Sequence, residues 1–193
     1  MRRQILPAVL MVVVLTVICG LAYPLVVTGV AQAAFPDKAD GSFVTDAGGN
    51  VVGSGLIGQG FTGDRYFWPR PSAAGTDGYD GLASGGSNLG PNDQALLSDV
   101  EQRARDYRQA NGLAPDVEVP VDAVTASASG LDPHISVQNA ELQARRVADA
   151  RGLSLGTVQG LVQEATEDPS FGMLGVKGVN VLRLNLLLDQ LPD

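Results

Sequence analysis

From Gln4 to Pro36, 33 consecutive positions carry no charged side chain, and Val, Leu, Ile and Ala dominate them. About 20 apolar residues suffice to cross the hydrocarbon core of a bilayer, so this stretch is long enough to do so. The best span runs from Ile5 to about Val27, with Pro7 in its first turn, where a missing N–H costs little, and Pro24 marking its far end. Tyr23 stands where an interfacial aromatic belongs. No polar face interrupts the run, which argues against a helix buried in a soluble core. A secretory signal peptide is the competing reading, because Ala31-Gln32-Ala33 offers a small-residue cleavage site. The apolar run continues through Leu21 and Leu25-Val26-Val27, however, beyond the roughly 7–15 residues of a signal-peptide core. The expectation is an uncleaved transmembrane anchor over residues 1–34 and one exported domain over 35–193.

Charge sets the orientation. Arg2 and Arg3 precede the apolar run, whereas its far side opens with Phe35-Pro36-Asp37-Lys38-Ala39-Asp40. The positive-inside rule then puts the N-terminus in the cytoplasm and the rest outside, in a cell (inner) membrane crossed once. Of 13 basic residues, removing Arg2 and Arg3 leaves 11 against 21 acidic ones, so the exported part carries a net charge of −10. Such a charge excludes the positive surface that nucleic-acid binding requires. One cysteine, Cys19 inside the span, and one histidine, His134, exclude a disulfide scaffold and a Cys/His zinc cluster, so no metal site is expected.

The exported part reads as a single α+β domain. Val44, Val51-Val52 and Leu56-Ile57 suggest short strands around the turn Gly48-Gly49-Asn50, and the stretch from Gly75 to Pro91 has the composition of an ordered loop. Residues 92–110 predict a helix capped by Asn92 or Asp93, with Leu96, Val100, Ala104 and Tyr107 on one face and a Glu101–Arg105 pair on another. A second helix runs from its Ser136 cap to Arg151 with Gly152 after it, burying Ala140, Ala144, Val147 and Ala148. A third starts at Ser154 and groups Leu155, Val158, Leu161, Val162 and Ala165. The run from Val179 to Leu188 fits strand and helix alike; Asn180 as a cap favours helix.

Few residues in this pattern point to chemistry. The loop Ala83-Ser84-Gly85-Gly86-Ser87 is similar to the signature loop of ABC-type ATPases, whose backbone N–H groups cradle phosphate, but Gly/Ser tracts are equally ordinary surface turns. No stretch ends in the Gly-Lys-Ser/Thr of a P-loop, so independent ATP hydrolysis is not expected. Asp132-Pro133-His134 gives the lone imidazole a nearby carboxylate, and Ser127, Ser129 and Ser136 are serines by proximity only; a turn leading into the Ser136-capped helix is the simpler reading. Residues 140–162 mimic a DNA-reading helix-turn-helix, which the acidic charge opposes. Arg65, Arg70 and Tyr66-Phe67-Trp68 combine residue types that concentrate energy at protein interfaces and also build cores.

Taken in order, a series of motifs becomes specific. The apolar anchor leads into Thr28-Gly29-Val30-Ala31-Gln32 and Phe35-Pro36-Asp37-Lys38-Ala39-Asp40-Gly41-Ser42. There follow Tyr66-Phe67-Trp68-Pro69-Arg70-Pro71-Ser72-Ala73, Ser84-Gly85-Gly86-Ser87-Asn88-Leu89-Gly90-Pro91 and the stretch Ser127-Ala128-Ser129-Gly130-Leu131-Asp132-Pro133-His134-Ile135-Ser136. Val147-Ala148-Asp149-Ala150-Arg151-Gly152-Leu153 and Val179-Asn180-Val181-Leu182-Arg183-Leu184-Asn185 close the series. It closely resembles the C subunit of the bacterial Kdp-type potassium-transporting ATPase, from about Ile5 to Asp189, with Ala128 a small departure where a Ser-Gly-Ser form is expected as often.

That resemblance implies a non-catalytic, single-span accessory subunit of an ATP-driven potassium uptake complex. Its implied partners are a channel-like potassium-translocating subunit, a P-type ATPase subunit, a small single-span subunit and the lipid bilayer. It further implies a catalytic chaperone that raises the ATP affinity of the hydrolysing subunit. Nucleotide contact would then fall on Ser84, Gly85, Gly86 and Ser87, although a domain outside the cell cannot reach cytoplasmic ATP. No tightly bound cofactor is expected, ATP entering only through the complex. Tyr66, Trp68, Arg70, Asn88, Asp132 and His134 are the candidate partner-binding residues. The alternative is a secreted or anchored hydrolase or binding module dependent on His134.

Overall fold

The computed structural model describes residues 2–191 and divides into two compact units, the first ending at Phe43 and the second beginning at Val44. In the first, α1 (Arg2–Val17), a π-helical turn (Ile18–Ala22) and α2 (Tyr23–Ala34) form one continuous helical rod, followed by the single turn α3 (Pro36–Ala39). The stretch Arg3–Ala34 contains a window of mean hydropathy 2.8, none of it buried, so an apolar surface is presented on every side. At 1.5 Å per residue its length is about 48 Å, more than a hydrocarbon core of about 30 Å requires.

Two prolines behave differently from expectation. The helix begins at Arg2, so Pro7 sits in its second turn; Pro24 does not end it but lies inside the continuing rod. The reason lies in the turn before Pro24. A proline has no N–H to offer the carbonyl four residues back, and its ring crowds that carbonyl. Here the preceding turn is widened to a π-helix, in which the Tyr23 N–H reaches the Ile18 carbonyl five residues back, and the chain passes the ring without breaking.

In the second unit β2 (Val51–Ser54) returns alongside β1 (Phe43–Thr45) across a turn closed by Asp46, whose Oδ1 accepts the N–H groups of Gly48 and Asn50 at 2.8 and 2.9 Å. Leu56-Ile57, expected as a further strand, is a turn, because the Ile57 N–H closes back on the Ser54 carbonyl. The loop from Gly75 to Pro91 has no regular structure but is tied down, as described below.

The helices lie where periodicity and caps put them. α4 (Gln94–Ala110) is capped by Asp93 and buries Tyr107; α5 (Val121–Val124) is one short turn. α6 (Val137–Arg151) has Ser136 accepting the Asn139 N–H and ends at Gly152, whose φ of 68° is the left-handed conformation that glycine adopts without steric penalty. α7 (Leu155–Glu164) is capped by Ser154 and packs against α6 as an antiparallel hairpin. Ala140, Ala144, Val147 and Ala148 are buried as expected, and their small side chains let α7 approach closely with Val158 and Val162; Leu155 remains exposed.

The ambiguous C-terminal run is both structures in turn. Gly178–Asn180 is β5, and α8 (Val181–Asp189) starts directly from it, with Asn180 serving as the last strand residue and as the cap that accepts the Arg183 N–H. β5 is the centre of a three-stranded antiparallel sheet, flanked by β3 (His134–Ile135) and β4 (Thr166–Glu167). Phe67, Ile135, Val147, Val158, Val162, Val179, Leu184 and Leu188 fill the core between this sheet and α6, α7 and α8.

Candidate partner-binding surface

Two clusters gather five of the six expected partner-binding residues. The first follows the sheet. Arg70 Nη1 meets Asp132 Oδ2 at 2.9 Å, and Asp132 Oδ1 accepts the His134 backbone N–H at 3.0 Å. His134 Nε2 faces Glu167 Oε2 on β4 at 3.1 Å, and Glu167 Oε1 receives Arg183 Nη1 of α8 at 2.8 Å. Basic and carboxylate side chains thus alternate from Arg70 through β3 and β4 to α8. The imidazole lies over Gly178 of the central strand, where a Cβ would come within 3.3 Å of His134 Cβ.

Electrostatics follow from this row. Asp132, 3.7 Å from Nδ1, and Glu167, at hydrogen-bond distance from Nε2, raise the His134 pKa against the opposing effect of partial burial. In return the His134 imidazole and backbone N–H, together with Arg70, hold the Asp132 carboxyl at about 2 despite partial burial. A cleft of about 450 Å³ opens beside the row, with Asp122, Ser136, Asp168 and Lys177 also at its walls.

The second cluster is built on the segment 65–72, which turns at Arg65-Tyr66 and then runs without regular structure. Buried side-chain amides bond its backbone at Phe67 and Trp68. Gln143 Oε1 accepts the Trp68 N–H at 2.7 Å and its Nε2 donates to the Trp68 carbonyl at 3.1 Å; Asn185 does the same for Phe67. The Arg146 guanidinium stacks 4.0 Å over the Trp68 ring and donates to Asn111, Gln143 and the Asp64 carbonyl. Burial draws its pKa down to about 10. Arg151 stacks 4.9 Å over Tyr66 and pairs with Asp189 at 2.7 Å. Tyr66 and Trp68 therefore serve the packing of the domain.

The 84–87 loop has a structural explanation of its own. The Gly85 N–H donates to the Ser129 carbonyl at 2.9 Å and Ser84 Oγ to the same oxygen at 2.9 Å. A Cβ on Gly86 would stand 3.2 Å from the Ala128 carbonyl oxygen, a tight contact that shows how closely the two segments run. Ser87 and Asn88 are exposed, Asn88 with a left-handed φ of 54° and away from both clusters.

The three serines near His134 are engaged elsewhere. Ser136 Oγ donates to Asp122 at 2.8 Å, Ser127 and Ser129 face each other at 3.4 Å, and both imidazole nitrogens face carboxylates. Among the described residues no group of three or more His, Cys, Asp or Glu side chains has a metal-holding arrangement.

Glu167, Arg183, Gln143, Arg146 and Asn185 were not among the expected site residues. A signal for three of them exists in the sequence: Gln143 and Arg146 fall on the Ala140/Ala144/Val147 face of α6, and Asn185 interrupts the apolar run of α8. A polar residue on a buried face must have a partner.

Comparison with known proteins places the whole chain. The family model described as KdpC, the c chain of K+-transporting ATPase, matches residues 5–190. The chain is 56% identical over 191 residues to the potassium-transporting ATPase KdpC subunit of Mycobacterium tuberculosis, covering 99% of this chain and 100% of that one. It is 52% identical over 189 residues to the subunit of the same name from Geobacter sulfurreducens, and 49% over 189 residues to that of Geotalea uraniireducens, covering 98% of each chain in both comparisons. With the match running from the apolar helix to the end of α8, the chain belongs to the KdpC family, the c chain of K+-transporting ATPases.

Proposed function

We propose that this chain is the single-span accessory subunit of a potassium-transporting ATPase complex, with its N-terminus cytoplasmic and the second unit outside. The observation that carries this reading is an apolar rod, unburied on every side, in a chain that matches the c-chain family along nearly its whole length. Lipid and neighbouring transmembrane segments are what such a surface can be covered by. The partners are the channel-like potassium-translocating subunit, the P-type ATPase subunit and the small single-span subunit. The chain contributes no hydrolytic step of its own; it stabilises their assembly.

Its effect on ATP affinity is indirect. An exterior domain has no access to cytoplasmic nucleotide, and the Gly85 N–H is bonded to Ser129 rather than free for phosphate. Contacts made through the membrane-spanning rod favour one state of the complex, and by linkage that preference changes the affinity of the hydrolysing subunit for ATP.

An affinity pull-down from membranes solubilised in mild detergent, with a tag at the C-terminus and intact-mass identification, tests this. Recovery of the uncut chain with a P-type ATPase and a multi-span subunit is expected. Recovery of a lone chain cut near Ala34 would overturn the reading in favour of a secreted module.

A further inference from the structure

Two prolines stand in the apolar rod, and they differ in what their missing N–H leaves behind. Pro7 deprives the Arg3 carbonyl, at the end of the rod, where water and headgroups replace the donor. Pro24 lies inside the Ile5–Val27 span, and the π-helical turn Ile18–Ala22 precedes it. That turn carries the chain past the ring but leaves the Cys19 carbonyl without a backbone donor. We propose that this oxygen marks the face of the rod on which a neighbouring membrane span docks, and that the span donates a side-chain hydrogen bond to it. The inference rests on the accessory-subunit reading above and names a contact within it.

The bond count isolates this oxygen. In a regular α-helix the Tyr23 N–H, four residues on, would serve it; here that N–H goes to the Ile18 carbonyl instead. Pro24, five residues on, has no N–H to give. Ala22, three residues on, belongs to the π-helical turn and follows its five-residue pattern. Side chains of the rod do not replace these donors. A helical side chain reaches back to the carbonyl three or four residues before it. For Cys19 those positions are Ala22, which has no donor, and Tyr23, whose ring carries its hydroxyl beyond the neighbouring turn.

Depth makes the missing bond a determinant of binding. Cys19 is at least eight residues from either end of Ile5–Val27, so about 12 Å of helix or more separates it from each. Water does not reach a lipid-facing carbonyl at that depth, and leaving it unpaired is costly, so the donor has to come from a neighbouring helix. Gly20 opens the way for one. Its φ is not left-handed, and a Cβ there would first meet the Thr16 side chain, at an ordinary 3.8 Å. Neither conformation nor crowding among the described residues therefore calls for glycine, which weakens a helix interior relative to alanine. Small residues let membrane helices approach to backbone distance, and polar side chains hold them there. Cys19 is itself exposed, so this face is open in the chain alone. The bulge thus selects a span that carries a hydroxyl, amide or guanidinium at this depth; an all-aliphatic span, or lipid, leaves the oxygen unpaired.

The test uses the full chain with and without its complex. Cys19 is the one cysteine of the chain, so synthesis with carbonyl-13C cysteine labels that carbonyl alone. The labelled chain is inserted by cell-free synthesis into membranes holding the unlabelled partner subunits, and into vesicles of lipid alone. Infrared spectroscopy then reads the isotope-shifted carbonyl band, which falls to lower wavenumber when the oxygen accepts a hydrogen bond. The lower band is expected in the complex and the higher one in lipid. In parallel, Pro24→Ala, which lets the helix close regularly, and Gly20→Leu, which blocks close approach, are each expected to reduce recovery of the partner subunits about three- to tenfold, the worth of an interhelical hydrogen bond in a membrane. Both substitutions favour a regular helix, so a loss of assembly is not a failure to fold. Pro7→Ala, at the end of the rod, is expected to leave recovery unchanged. One band position in both preparations, or wild-type recovery of both variants, overturns the donor inference and leaves the accessory-subunit reading standing. Failure of the wild-type chain to bring down any partner overturns that reading as well.

Discussion

Asn185 on α8 holds both polar backbone groups of Phe67, accepting its N–H at 2.8 Å and donating to its carbonyl at 3.0 Å. The side-chain amide thus does for a buried extended residue what a neighbouring strand would do. Both residues are essentially inaccessible, so water cannot replace the bonds. Asn185→Leu is expected to destabilise the domain by about 2–4 kcal/mol, since each buried polar group left unpaired costs about 1–3 kcal/mol. Chemical unfolding of the detergent-solubilised chain measures this, and Asn185→Asp, which sets a buried carboxylate oxygen against the Phe67 carbonyl, is expected to be at least as destabilising at neutral pH.

Arg146 is a second buried polar group that the fold depends on. Its side chain is 6% exposed, and its nearest carboxylate, Asp64, is 4.0 Å away. What holds it is a planar fork of hydrogen bonds and the Trp68 ring. Lysine has neither the fork nor the stacking surface. Arg146→Lys is therefore expected to cost about 2 kcal/mol or more, as the loss of hydrogen bonds from a charged donor implies. Unfolding midpoints near those of wild type would show that charge alone suffices there.

Gly130 occupies a position no other residue can share. Its φ is +66°, and a Cβ there would lie 2.6 Å from the Gly85 carbonyl oxygen and 2.8 Å from both Ala74 Cβ and Ala74 N. Gly130→Ala is expected to cost at least about 2 kcal/mol through strain and displaced backbone. It should also free the Gly85 amide, seen as faster hydrogen exchange across the 84–87 loop.

The row Asp132–His134–Glu167 makes stability depend on pH with opposite signs at its two ends. The His134 pKa is raised in the folded chain, so its contribution is fully present below the unfolded value near 6.5 and is lost as pH rises through the folded value. Asp132 is held at about 2 against an ordinary 3.8, so its contribution is present above 3.8 and disappears as pH falls towards 2. Stability of wild type relative to His134→Ala should shrink from pH 6 to pH 9. Stability relative to Asp132→Asn should shrink from pH 5 towards pH 2. A pH-independent difference in either series would show that the carboxylates do not stabilise the charged imidazole.

On the proposed topology, the acidic second unit is expected to concentrate potassium modestly near the complex. Neutralising the exposed Asp116, Glu118 and Asp149 together should weaken apparent potassium affinity at low ionic strength. The effect should vanish where the Debye length falls to about 8 Å, near physiological salt. Transport assays at two salt concentrations separate this from a loss of assembly, which salt would not restore.

The amino-acid sequence by itself determined the apolar rod, the boundaries of α4 and α6, the start of α7, and the small-residue face of α6. These depend on interactions within a few residues: a run without charge, Asp93, Ser136 and Ser154 as caps, Gly152 as a stop. The motif order also carried the family. Tertiary structure decided the rest. β3 and β4 are two residues long and acquire their identity only by pairing with β5, more than forty residues from β3 in sequence, so no local pattern marks them. The same pairing converts Asp132-Pro133-His134 from a turn before a helix into one end of a charged row, because Glu167 and Arg183 arrive from β4 and α8. It also settles Val179–Leu188: an apolar run suits strand and helix equally, and Asn180 divides the two by being the last residue to pair with β3 and the first to cap α8.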